Sequence, residues 1–320
     1  MSAARYDDAD LRRAASAAIR APSLHNSQPW QFRLRDGGID VLADPSRRLD
    51  VADRGGWAVR IACGAAVFNA RLALAAAGRP AQVALLPRGA GPDVMAHLSP
   101  DEPREPSYAE RDLYAAIPRR HSNRRPFLPE PVPTDIRVRL IEAAREEGCW
   151  LDLLVGMTAL SGFSEIARSA DRVLRRDVGY QAEFSSWAHA DGAMDGVPVT
   201  AGGPLPEPHD LLPQRPFGTR PRATGRDYEP EPLVAVLGAA GDWPADQLQA
   251  GQALQRVLLT LTDAGLSSSM LSQPIEVAAA RDQLRRSLSR RGVPQMTLRI
   301  GYGLVGPSTE RRPLDDVVLD

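Results

Sequence analysis

Two stretches of this 320-residue chain repeat each other. GAAVFNARLALAAAG, residues 64–78, and GQALQRVLLTLTDAG, residues 251–265, align without a gap at Gly, Ala, Leu, Leu, Ala and Gly. Each reads as an apolar helix closed by a glycine. A helix that is apolar on nearly every side has to be buried on every side. Two such helices, far apart in sequence, point to one core shared between two similar halves. The alternative is coincidence between two Ala/Leu-rich helices. SAAIRAPS and IEAAREEG also occupy like positions, each ahead of a strand. The halves run over about 1–115 and 116–320, and together they resemble a fused dimer rather than a solenoid.

The first half reads as a helix over 9–20, ended by Pro22. A hairpin follows in QFRLRDGGIDVLAD, with Gly37-Gly38 at its turn. The apolar helix 63–78, strands in AQVALLP and DVMAHLS, and a helix over 107–117 complete it. In the second half, VPTDIRVRLIEAAREEG is a helix with Thr134 or Asp135 as its N-cap. CWLDLLVGM is a strand, and a helix covers 159–184. Residues 185–230 differ, with eight Pro and six Gly in 46 positions. PLVAVLGAA then reads as a strand, 246–265 and 278–291 as helices, and QMTLRIGYG as a last strand. GLSSSM, 265–270, reads as a helix end, and the tail PSTERRPLDDVV is extended. The fold class is therefore α+β.

Composition narrows the function classes. The formal net charge is −1, and 25% of residues are charged. That balance argues against a dedicated nucleic-acid binder. No apolar run approaches a membrane span, and MSAARYDDADLRR lacks the apolar segment of a signal peptide. Two cysteines make no disulfide framework, so the expected compartment is the cytosol. All 39 basic residues are Arg, so any cationic contact to an anion here is made by Arg.

Two polar stretches stand out. RAPSLHNSQPWQF, 20–32, packs Pro22, Ser23, His25, Asn26, Gln28 and Trp30 into nine positions. A capped helix-to-strand turn is its plain reading, with Trp30 anchoring the hairpin. RRHSNRRPF, 119–127, interleaves four Arg with His121, Ser122 and Asn123. A charge run is usually a solvated face. Arg with hydroxyl donors is also what a phosphate monoester needs, and Arg311 and Arg312 lie just past the last strand to join them. A G-x-G-x-x-G after a strand, a P-loop and an H-E-x-x-H are all missing. His25, His97, His121, His189 and His209 lack metal-ligand spacing. Cys63 reads as a small hydrophobe before a buried helix.

APSLHNSQPWQF resembles the PSxxNxQPW segment of the nitroreductase superfamily of FMN enzymes. RRHSNRRPF is similar to that family's Arg/Ser segment, and QPIE (273–276) and the terminal Arg pair fit as well. Single-chain length and RIGYG…ERRPLDDV resemble the Acg-like branch of actinobacterial type. The resemblance implies a nitroreductase fold with two fused halves as an intramolecular pseudo-dimer, and 185–230 as a lid. It implies an FMN site with Pro22, Ser23, Leu24 and Asn26 on the flavin ring and ribityl chain. Arg120, His121, Ser122, Arg312 and Arg311 would take the phosphate. Arg124 would sit near flavin N1 and O2. Pro274, Ile275 and Glu276 would present a backbone N–H to N5. The loop stays intact only in the first half and the Arg/Ser segment only in the second, so one site per chain is expected. NAD(P)H would be the electron donor and a nitroaromatic or quinone the acceptor, with ping-pong kinetics. Storage of FMN beneath the lid is the alternative. The implied partners are small molecules, with no nucleic acid and no membrane, and the chain is a monomer or a homodimer.

Overall fold

The computed structural model describes residues 5–35, 37–189, 192–205, 207, 210–217, 229, 231–304, 306 and 308–319. His209 and Tyr228 lie outside the described residues. Helix α1 (Asp8–Ala18) starts where the Asp7 carboxylate accepts the Asp10 N–H, and it buries Leu11, Ala14, Ala15 and Ala18. Strands β1 (Trp30–Arg35) and β2 (Gly38–Ala43) form the hairpin, with Trp30 opposite Ala43 and Arg35 opposite Gly38. Gly37 takes the positive φ of +70° that this turn needs. Trp30 is fully buried.

Helix α2 (Trp57–Ala76) begins six residues earlier than the periodicity suggests. The cause is Asp53, whose carboxylate accepts the N–H groups of Ala58 and Val59, both at 2.9 Å, at the helix entry. The early start makes α2 long and apolar enough to span a bilayer, contrary to the run-length expectation, yet 89% of its apolar window is buried inside the protein. Cys63 lies within it, fully buried, its thiol pushed up to about 12 by burial. Strands β3 (Ala81–Leu85) and β4 (Val94–Pro100) and helix α3 (Tyr108–Ala116) follow. Ser107 and Glu110 cap α3 reciprocally.

Helix α4 (Thr134–Glu146) is capped by neither Thr134 nor Asp135. Pro133 holds the N-cap position and Asp135 sits in the first turn, where its charge suits the helix dipole. After β5 (Trp150–Leu154), the expected helix 159–184 is two helices, α5 (Met157–Arg176) and α6 (Val178–Ser186). Asp177 breaks them by adopting extended backbone and accepting the Tyr180 N–H at 3.0 Å. The two-residue strands β6 (Ala188–His189) and β7 (Val197–Pro198) pair within the following insertion. The chain continues through β8 (Leu233–Ala239), α7 (Pro244–Asp263), β9 (Ser267–Met270), α8 (Gln273–Glu276), α9 (Ala278–Ser287), β10 (Val293–Gly301) and β11 (Val318–Leu319).

One sheet has the order β11-β1-β2-β4-β3 and the other β5-β8-β10-β9. GLSSSM is thus a strand, not a helix end. Ser267 to Met270 pair with Gly301 to Leu298 of β10, a long-range pairing that overrides the weak strand preference of serine. The tail crosses to the first sheet, where β11 lies parallel to β1 with Phe32 opposite Val318.

Between the sheets, α2 and α7 pack so closely that neither tolerates a side chain at the contact. A Cβ on Gly64 would collide with the Leu248 carbonyl, and one on Gly251 with the Ile61 carbonyl. The contact is reciprocal and joins the two glycines that align in the sequence repeat. Beside it, buried Gln255 Nε2 donates to Asn69 Oδ1 at 2.7 Å, and Asn69 Nδ2 donates to the Ala17 carbonyl at 2.9 Å.

Candidate functional site

The 20–32 loop leaves α1 and turns through three left-handed non-glycine residues, His25 (φ 54°), Asn26 (φ 56°) and Gln28 (φ 52°). Such backbone persists only where neighbours over-determine it. Ser23 Oγ accepts the Gln28 N–H at 2.9 Å, and Asn26 Nδ2 donates to the Glu310 carbonyl at 3.1 Å. Gln28 Nε2 donates to the Met194 carbonyl at 2.7 Å, and its Oε1 accepts the Arg312 N–H at 2.9 Å. The polar residues of the loop therefore tie three segments together: the loop, the tail and the 185–230 insertion.

A small cleft, about 80 Å³ in volume, opens beside this loop. Pro22, Ser23, Leu24 and His25 form one wall. Trp57, Ala58, Ile61 and Ala62 of α2 and Leu254 of α7 form its apolar base. Ser122 and Arg124 enter from the Arg/Ser segment, and Ser269 through Gln273 close another side. Asn26 is absent from the walls; its side chain is spent on the tail.

The Arg/Ser segment is pinned to β9 and β10. Asn123 N–H donates to the Ser268 carbonyl at 2.8 Å, and buried Arg299 donates to the Arg125 carbonyl at 2.8 Å while lying 4.2 Å from the Phe127 ring centroid. Arg299 is neutralised by Glu229 at 2.6 Å. Arg120 and Arg311 are not neutralised by a carboxylate among the described residues. Arg120 is 8% exposed, donates to the Arg20 carbonyl at 3.3 Å, and has an unpaired Nε. Arg311 donates to the Ala21 carbonyl at 3.2 Å and to Thr309, and its Nε is also unpaired. Burial pushes the Arg120 guanidinium down to about 10. Burial first, then repulsion by Arg120 and Arg20, pushes Arg311 down to about 9. Arg124 is held down to about 10 by burial and by the charges of Arg215 and Arg120.

Of the two tail arginines, Arg311 joins Arg120, whereas the Arg312 guanidinium lies 3.5 Å from the buried Asp44 carboxylate. His121 Nδ1 lies 3.0 Å from the Arg119 carbonyl, and its buried Nε2 has no partner among the described residues. At 274–276, Pro274 has no N–H, and the N–H groups of Ile275 and Glu276 both donate to the Ser272 carbonyl, at 2.8 and 3.0 Å. Ser272 and Gln273 line the cleft in their place. Glu276 is no exposed acid. Its carboxylate pairs with Arg215 and accepts the Tyr180 hydroxyl at 2.9 Å. Burial, the largest single influence, would lower the Arg215 pKa, but Glu276, Tyr180 and Asp171 together outweigh it and raise it.

The insertion supplies residues that the sequence did not assign to the site. Gln214, Arg215 and Phe217 line the cleft. Arg124 lies 5.0 Å from the Phe217 ring centroid and donates to the Ala201 carbonyl at 3.2 Å. The insertion is fastened at its far side by Arg47, which pairs with Asp195 and lies 5.3 Å from the Trp187 ring centroid. The presence of aromatics in a long Pro/Gly-rich segment is the one sequence signal for this packing.

The arrangement combines an apolar floor, a half-buried cation in the wall at Arg124, and two cations nearby, Arg120 and Arg311, that no carboxylate among the described residues neutralises. No family model matches the chain. A Mycobacterium tuberculosis protein named provisionally as NAD(P)H nitroreductase Rv3131 is 32% identical, over 98% of this chain and 92% of its own length. The provisionally named NAD(P)H nitroreductase Acg of the same organism is 29% identical over 96% and 94%. Among solved structures, the FMN-dependent nitroreductase NfnB from Mycobacterium smegmatis in complex with NADPH covers 64% of this chain and 96% of its own, at 18% identity and a TM-score of 0.39. An FMN-bound nitroreductase from Desulfitobacterium hafniense covers 65% and 98%, at 10% identity and a TM-score of 0.42.

Proposed function

The chain belongs to the NAD(P)H nitroreductase family, and from that membership we propose that it is a cytosolic FMN oxidoreductase that uses NADH or NADPH to reduce nitroaromatic or quinone acceptors. The observation that carries the reading is the pair Arg120, buried, and Arg311, half-buried, whose Nε–H groups have no partner among the described residues, with Arg120 two residues from the cleft-lining Ser122. Two charges with no carboxylate partner among the described residues suit a phosphate dianion, and the apolar base of the cleft suits a ring system, so these residues suit FMN.

Arg120, Arg311 and Ser122 would hold the phosphate, with His121 adjoining. Pro22, Ser23 and Leu24 would flank the ring, and Asn26 and Arg312 would brace the loop from behind. FMN, when bound, supplies the redox chemistry, taking a hydride from a nicotinamide and giving electrons to an acceptor. Arg124 is a half-buried cation in the wall, placed to stabilise negative charge that develops inside the cleft. Ser272 and Gln273 supply polar contacts opposite. No side-chain nucleophile is required.

The reading includes two related halves, 1–115 and 116–320, with a local twofold through the Gly64–Gly251 contact. The reciprocal carbonyl contacts there support it. It also includes a single site per chain. In the second half the position of the loop holds Glu147, a carboxylate that pairs with Arg71 and with Arg256, where the first half has the polar residues of the loop.

A second reading, flavin storage, is favoured by one observation: Gln214, Arg215 and Phe217 of the 185–230 insertion wall the cleft, and the Arg215–Glu276–Tyr180 network fastens them. The test is steady-state NADH and NADPH oxidation with nitrofurazone and menadione, on the intact chain and on a variant lacking 190–225. Turnover with parallel double-reciprocal lines supports the oxidoreductase. Intersecting lines contradict the ping-pong scheme. Bound flavin without turnover, in both proteins, favours storage; turnover only after deletion means a competent site under a closed lid.

A further inference from the structure

His25 has an environment that the reading above leaves unused. It stands in the strained turn of the loop, 4% exposed, and lines the cleft. Neither ring nitrogen has a hydrogen-bond partner among the described residues. Its ring meets Phe184 edge-on at 5.4 Å and Phe217 at 5.9 Å between centroids. Burial, then the charges of Arg215 and Arg124, holds its pKa well below the usual imidazole value, so the ring is neutral and carries one donor and one acceptor. A buried polar group without a partner is costly, and nothing in the local packing requires a polar residue between two phenylalanines. The other polar side chains of the loop are spent: Ser23 and Asn26 on the loop and tail, Gln28 on the insertion and tail.

We propose that His25 is a specificity-determining residue that hydrogen-bonds a carbonyl or nitro oxygen of a planar acceptor in the cleft. The inference rests on the FMN reading and names the acceptor chemistry of the same site. Both ring nitrogens are buried in this structure, so the acceptor meets His25 as the neighbouring Phe217, on the insertion, is displaced. The apolar face of Phe184 takes the ring of the acceptor, and the imidazole N–H donates to its oxygen. A site built to donate one hydrogen bond rejects an analogue that lacks the oxygen, because the donor is then left buried and unpaired.

The test uses FMN-loaded protein and two probes of like shape, menadione and 2-methylnaphthalene, the second lacking both carbonyls. Dissociation constants are measured by equilibrium dialysis for wild type, His25→Phe and His25→Gln. The preference for menadione should fall by about tenfold or more in His25→Phe, with 2-methylnaphthalene affinity held within about twofold, and should be largely retained in His25→Gln. An unchanged preference in His25→Phe overturns the proposal. If the variants fail to fold, the wild-type imidazole ¹⁵N signal of His25 decides: it should move on adding menadione to the FMN-loaded protein. A signal that moves on FMN and not on menadione assigns His25 to the cofactor and also overturns it. Protein that binds no FMN would sink the parent reading, a result separate from any of these.

Discussion

Replacing Arg120 by Met should move the stability of the flavin-free protein and its affinity for FMN in opposite directions. Arg120 is 8% exposed and makes one hydrogen bond, at 3.3 Å, to a carbonyl. Burial lowers its pKa from the ordinary guanidinium value to about 10, which at about 1.4 kcal/mol per unit is a cost on the order of 3 kcal/mol. The sign follows from proton binding. Between the folded and unfolded values the unfolded chain holds more protons, so the cost is full below about 10 and disappears as pH rises toward the unfolded value. At pH 7 a methionine of similar length removes that cost and keeps the packing. The flavin-free variant should gain about 1–3 kcal/mol, a Tm rise of roughly 2–6 °C. With FMN the same change removes charged hydrogen bonds to the phosphate worth about 1.5–3 kcal/mol, so Kd should rise about 10–150-fold. Scanning calorimetry with and without FMN reads both effects. A lower Tm in the flavin-free variant, with an unchanged FMN-induced shift, would refute the reasoning and make Arg120 a cap for the end of α1.

Three further outcomes follow from the packing. Gly64→Ala should cost about 3 kcal/mol or more by forcing α2 from α7, whereas Gly162→Ala, in open space inside α5, should stabilise by about 0.5–1 kcal/mol; urea midpoints of the two variants compare them. Glu110, held down to about 2 by its hydrogen bonds with Arg104 and Ser107, contributes above its unfolded value and loses that contribution as pH falls through about 2. Glu110→Gln should therefore cost under about 1 kcal/mol at pH 7 and nothing near pH 2 in paired thermal melts. Glu276→Gln leaves Arg215 buried and unpaired and should cost about 3–5 kcal/mol, while Arg215→Met with Glu276→Gln should cost less, measured as a double-mutant cycle.

Much of this site was legible in the residues themselves. The repeat at Gly64 and Gly251 marked the helix pair that divides the two sheets, because a shared close contact demands the same small residue on both sides. The Arg/Ser segment declared itself by charge interleaved with donors. What stayed hidden depends on long-range partners. Ser267 to Met270 have no strand preference of their own and become a strand because β10 is there. The early start of α2 rests on the Asp53 carboxylate reaching forward five and six residues. Adjacent tail arginines look alike in sequence, yet Asp44 takes Arg312 and leaves Arg311 for the cluster. The pairing of Glu276 with Arg215 was hidden because Arg215 lies in an insertion whose folding no periodicity reveals. His25 was visible as one polar residue among several, and only its two phenylalanine neighbours set it apart.

The account stands most directly on one titration. Flavin-free protein is titrated with FMN and, in parallel, with riboflavin, which lacks the phosphate. The account predicts one FMN per chain and riboflavin binding weaker by about 100-fold, the loss of two or more charged hydrogen bonds. No FMN binding, two FMN per chain, or equal affinity for riboflavin would contradict it.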